Sequence, residues 1–175
     1  MNSFKGRIIR AAKLDVHLYE EVEADTGAMG QAMGVVVLSS IAAGVGSIAI
    51  GGLGGILIGT ITALIGWFVW AYLTYFIGTK FFPEPQTRAD FGELLRTIGF
   101  SSSPGLIRVL GIIPGLGGMV FLAASIWMLV AMVIAVRQAL DYKSTLRAVG
   151  VCVIGWIIQT LILVLLFSIL GGSAK

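Results

Sequence analysis

Between Asp25 and Lys80 the chain carries no Asp, Glu, Lys or Arg, and none lies between Arg108 and Arg137 or between Arg147 and Lys175. A helix rises ~1.5 Å per residue, so about 20 such residues cross ~30 Å of hydrocarbon. Runs this long constrain the fold more than any other feature. The 175 residues are 57% hydrophobic and 12% charged, where a soluble domain carries about 25% charged residues. Such a chain cannot cover itself with polar surface. The pattern therefore predicts an all-α, polytopic membrane helix bundle.

The apolar runs set the expected organisation. Residues 1–28 are a polar arm, basic in SFKGRIIRAAKL and acidic in DVHLYEEVEAD. Phe4, Ile8, Ala11, Leu14, Leu18 and Val22 share one helical face. That face either lies on the bilayer, with Lys5, Arg7, Arg10 and Lys13 toward anionic headgroups, or belongs to a solvated arm. The first apolar run starts too late for a cleavable signal peptide, so it is expected to stay in the mature protein. A single transmembrane domain is expected over 29–170, with spans near 29–50, 53–77, 98–113, 118–137 and 148–170, and 171–175 as a tail. GGLGG at 51–55 reads as a turn between the first two spans. After the breakers Pro83 and Pro85, TRAD resembles a weak capping box with Thr87 as cap, and 88–98 reads as an amphipathic helix on the membrane surface.

The stretch SSSPGLIRVLGIIPGLGG, 101–118, decides the topology. Ser103-Pro104 starts a helix and Pro114 stops or kinks it. From Pro104 to Val136 a continuous helix would rise ~50 Å, too long for one ordinary crossing. With a cytoplasmic N-terminus and two legs here, Lys80, Arg88, Arg96, Arg137, Lys143 and Arg147 all fall inside. The connections left outside then carry no Lys or Arg, as the positive-inside rule requires. Five segments are expected, the third short or re-entrant. Arg108, one turn into that leg, is expected to snorkel back to the interface; the alternative is a cation that lines a polar pocket or pairs with lipid phosphate.

Candidate chemistry is sparse. Cys152 and His17 are the only residues of their types, which disfavours a zinc site and an internal disulfide. No nucleophile–base pair or phosphate-binding loop is visible, so no enzyme activity, cofactor or metal is expected. Nucleic acid is not an expected partner either. Gly51, Gly55, Gly59 and Ala63 recur every fourth residue, the spacing of close helix packing between the first two spans; a dimer seam is the alternative, and a homo-oligomer fits it. The candidate lipid or partner contacts are Arg7, Arg10, Lys13, Arg88, Arg96, Arg108, Arg137, Lys143 and Arg147.

Several longer stretches carry a resemblance. EEVEADTGAMGQAMGVVVL leads into the first span, GFSSSPGLIRVLGIIPGLGG follows the second, and SIWMLVAMVIAVRQALDYKSTLRAVGVCVIGWII leads into the last. Over roughly residues 15–170 the chain resembles the Yip family, the Ypt/Rab-GTPase-interacting membrane proteins, in its compact bacterial form. The resemblance implies five membrane helices, a cytosolic N-terminus and no known catalysis. Eukaryotic members bind prenylated Rab GTPases and act in membrane traffic. With the charge layout, this gives the expected function: a non-enzymatic scaffold or interaction protein of a bacterial inner membrane. Its partners would be anionic headgroups and another membrane or membrane-associated protein. The alternative is a small channel, carrier or lipid-handling subunit with 104–118 lining its path.

Overall fold

The computed structural model describes residues 3–172, except for the side chains at 49–51, 163 and 166–172. Its helices are α1 (Phe4–Ala12), α2 (Val16–Ala24), α3 (Met29–Gly46), α4 (Ile48–Lys80), α5 (Phe91–Ser101), α6 (Gly117–Ala139) and α7 (Thr145–Gly172). A short 3₁₀ turn, Thr26–Ala28, precedes α3, and a 3₁₀ segment, Ser103–Ile112, lies between α5 and α6. Described strands are absent. The all-α expectation therefore stands.

Four helical stretches are long and apolar enough to cross a membrane: Thr26–Gly46, Gly52–Lys80, Gly117–Ala139 and Thr145–Ile162. The expected short or re-entrant span near 98–113 is not among these four. It is split between the end of α5 and the 3₁₀ segment, because Pro104 and three closely spaced glycines disfavour a long α-helix there.

The first turn falls within GGLGG, as expected, but takes only one of its residues out of helix. α3 stops at Gly46, where the Ser47 backbone N–H returns to the carbonyls of Ala43 and Val45. The chain reverses at Gly52, whose φ of 59° and ψ of −170° suit glycine alone. Most of GGLGG is therefore helix. Of the expected tail, 171–172 close α7, and 173–175 lie outside the described residues.

The apolar face of the arm packs against the rest of the bundle. Leu14 adopts φ 62° and Asp15 caps α2, its carboxylate accepting from the His17 N–H, so the face splits into two helices. Leu18, Tyr19 and Val22 are wholly buried in one cluster with Ala32, Phe100 and Ala135. The arm is built into the bundle.

The expected surface helix is likewise inserted. Asp90, not Thr87, is its cap: the Asp90 carboxylate accepts from the Glu93 N–H, and the Glu93 carboxylate accepts from the Asp90 N–H. Thr87 instead accepts from the Glu84 N–H. Every residue from Leu94 to Ser101 is buried, because α5 packs against α2, α3, α4 and α6 at once. Hydrophobic residues on α4, α6 and α7, such as Leu57, Ile61, Leu122, Ile126 and Ile157, stay exposed, as a lipid-facing surface must.

The 3₁₀ segment runs beside α3 in the same direction. Gly99 meets Ala32, Gly105 meets Ser39, and Gly111 meets Gly46. Gly99 makes its contact from the end of α5; within the 3₁₀ segment, at ~3 residues and ~6 Å per turn, Gly105 and Gly111 face one way ~12 Å apart. Residues seven apart on α3 are two turns and ~10 Å apart. The two periods match, and small residues on both sides let the backbones touch. A Cβ on Gly105 would sit 2.1 Å from the Ser39 hydroxyl, and one on Gly46 would sit 1.9 Å from the Arg108 carbonyl.

Candidate functional site

Two places gather the polar chemistry. The first is the end of the bundle where α1, α2, the 81–90 loop, the start of α5 and the 140–144 connector meet. Arg7 is only 4% exposed. Its guanidinium donates to Glu21 at 2.9 Å, Asp25 at 2.7 Å and Gln31 at 3.0 Å. Arg10 donates to Asp15 at 2.7 Å and Glu21 at 2.6 Å. Arg10 and Arg7 together hold the Glu21 carboxylate below its usual range, and the Arg7 hydrogen bond does the same for Asp25.

Arg96 is also buried. It donates to the Val22 carbonyl at 2.9 Å and to the Glu23 carbonyl. These carbonyls belong to the last turn of α2, which has no helical partner for them, so Arg96 caps α2 from α5. Arg7 and Arg96, expected as headgroup or partner contacts, are thus occupied within the fold.

The α6–α7 connector is clamped to the end of α4. The Tyr142 hydroxyl, inside the protein, donates to the carbonyls of Phe82 at 2.8 Å and Gly78 at 3.0 Å. Arg137 donates to the Tyr142 carbonyl at 3.1 Å and so closes the C-terminus of α6. Arg147 pairs with Glu84 at 3.2 Å while remaining half exposed. The Lys143 N–H donates to Glu84, and the Arg88 N–H to Asp141. The side chains of Lys13, Arg88, Lys143 and Arg147 face outward. Glu23 sits partly buried near Glu20, Glu93 and Asp141; burial first, then those three charges, push its carboxyl up to about 7.

The second place is inside the bundle. Arg108 does not snorkel to the polar end. Its guanidinium lies 5.7 Å over the Phe121 ring and reaches the Ser125 hydroxyl at 3.4 Å. Ser125 is about 18 Å along α6 from Arg137. A cavity of about 290 Å³ opens beside Arg108, lined by Ser39, Ser40, Trp70, Met128 and Gln159 among others.

The small-residue repeat on α4 does not pack against α3. A Cβ on Gly55 or Gly59 would meet nothing within 4 Å, and Ala63 borders the Arg108 cavity. Gly51 lies among the side-chain positions left undescribed. The α3–α4 contact runs instead through Gly44 on Ile56 and Ser40 on Thr60.

Residues 24–167 match the model of the Yip1 domain. The chain belongs to the Yip family. No curated protein and no solved structure matches it. The Yip1 match begins at the end of α2, so Arg7, Arg10 and the first helix lie before it, whereas Arg96, Arg108, Tyr142 and the glycine contacts lie within it. The chain is an integral membrane protein of that family.

Sequence reasoning missed three elements of these sites. Tyr142 carries a weak signal, an aromatic hydroxyl in a charged connector. The six-residue spacing of Gly105 and Gly111 was available but has meaning only for a 3₁₀ helix. The group around Glu23 draws on α2, α5 and the α6–α7 connector, and had no local signal.

Proposed function

We propose that this protein is a non-enzymatic membrane scaffold whose polar end receives a membrane-associated protein. The supporting observation is convergence: segments 1–28, 79–103 and 137–147 are far apart in sequence yet bonded together at one end. Gln138 donates to Glu20 at 2.9 Å, Arg96 to α2, and Arg147 to Glu84. A surface stitched this way is pre-formed and loses little entropy on binding. Its outward cations, Lys5, Lys13, Arg88 and Lys143, suit a partner with acidic segments and sit beside anionic headgroups at the rim.

The polar end is placed on the cytoplasmic side of a bacterial inner membrane. Of the twelve Lys and Arg residues, all but Arg108 and Lys175 belong to the segments of this end, and the positive-inside rule favours that orientation. The 3₁₀ segment then serves as a short return leg: ten residues at ~2 Å each rise ~20 Å, shielded by α3 and α6 as non-α backbone must be.

Co-purification in mild detergent tests this reading. Changing Lys5, Lys13, Arg88 and Lys143 together to Gln is expected to remove a specific co-purifying protein while the fold persists. An unchanged set of co-purifying proteins would sink it.

A further inference from the structure

Among the described residues Arg108 is a partly buried cation far from any carboxylate. The carboxylates all belong to residues 15–25, 84–93 and 141, at the polar end. Arg108 sits among apolar helices, and among the described residues no carboxylate pairs with it. Its Nε is buried without a hydrogen-bond partner, and its link to Ser125 is long. An unpaired guanidinium at membrane depth is costly, so such residues mark sites that an outside group completes.

The surroundings define that group. Beside Arg108 is the 290 Å³ cavity, where two neutral donors gather: the Gln159 amide and Trp70. Trp70 is 5% exposed, and its indole N–H is a second buried donor without a partner. On the other side of Arg108 is a cleft of about 270 Å³ between α6 and α7, walled by Ile126, Leu129 and Trp156. Those three side chains are themselves exposed on the lipid-facing surface.

We propose that Arg108 and this cavity bind the phosphate headgroup of an anionic membrane lipid. A guanidinium fork matches phosphate oxygens in pairs, and neutral donors around it satisfy the remaining oxygens. The apolar cleft leads from the bilayer to Arg108, so the acyl chains stay in lipid while the headgroup reaches inward. This access favours a lipid over a free anion from water. The site is separate from the polar end, and it stands or falls independently of the scaffold reading.

The test uses the full chain in neutral detergent, with native mass spectrometry against phosphatidylglycerol and phosphatidylcholine. The wild type is expected to retain phosphatidylglycerol about tenfold better, the effect of one charge-assisted contact. Arg108→Gln is expected to reduce that preference to about twofold or less, and Arg108→Lys to keep part of it. A Lys80→Gln variant, altered only at an exposed residue of the polar end, keeps the full preference. Inorganic phosphate at millimolar concentration is expected not to displace the lipid. Displacement by phosphate would assign the site to a soluble anion and overturn the lipid proposal. Equal retention of both lipids by wild type, or an undiminished preference in Arg108→Gln, would overturn it as well. A readout on wild type alone guards against a variant that does not fold. Phosphatidylglycerol brominated near its headgroup should quench tryptophan fluorescence more than brominated phosphatidylcholine, and equal quenching counts against the site.

Discussion

Arg7 and Arg108 are the same residue in two opposite situations. Arg7 is almost fully enclosed, yet each arm of its guanidinium has an acceptor: Glu21, Asp25 and Gln31. Arg108 is less enclosed, yet it has only a long contact to a hydroxyl and the face of a ring. Burial alone therefore does not separate a structural arginine from a binding one. What separates them is whether the chain supplies the counter-charge. At the polar end, acidic and basic segments adjacent in sequence fold back onto each other and close their own circuit. In the interior the chain supplies no anion, and the backbones are held by close contact between small residues instead.

The largest effect is expected where the interior is tightest. Gly105→Val would drive its side chain into Ser39 and Met128, and overpacking of that kind costs about 3 kcal/mol or more where neither backbone can move. The variant is expected to lose its monodisperse peak in detergent. A variant that stays folded would mean that the 3₁₀ segment can lift off α3.

The two arginines themselves give the next effect, with opposite signs. Arg7→Met leaves Glu21, Asp25 and Gln31 without their donor, and the unfolding midpoint should fall by about 5 °C. Arg108→Met removes an unpaired charge, and in neutral detergent the midpoint should hold or rise by a few °C. Equal losses from the two substitutions would erase the distinction drawn here.

The smallest effect sharpens the polar end. The Glu23 carboxyl is raised to about 7 by burial and by Glu93, Asp141 and Glu20. In the unfolded chain a glutamate titrates near ~4.3. Between those values the folded state binds the extra proton, so stability is greatest below about pH 4.3 for this group and declines as pH rises toward 7. Glu21 runs the other way: hydrogen bonds from Arg10 and Arg7 depress it, and its contribution is lost as pH falls below the usual carboxylate range. Glu23→Gln is expected to flatten the midpoint between pH 5 and 7.5 by a degree or two. A slope equal to that of wild type would remove Glu23 as its source.

The sequence by itself determined the solvent and the class. Charge-free runs longer than a bilayer is thick leave a chain no choice but helices in lipid, and this depends on composition and period alone. It also located α6 and α7 closely, because a charged residue bounds each run. The positions of the charges were legible, but not their partners. Arg7 and Arg96 looked like surface cations until the fold brought Glu21, Asp25 and the end of α2 to them. The Gly105 and Gly111 positions acquired meaning only once the segment became a 3₁₀ helix against α3. A local pattern fixes how a segment meets water or lipid; which carboxylate meets which guanidinium depends on distances between segments far apart in the chain, and only the tertiary structure sets those.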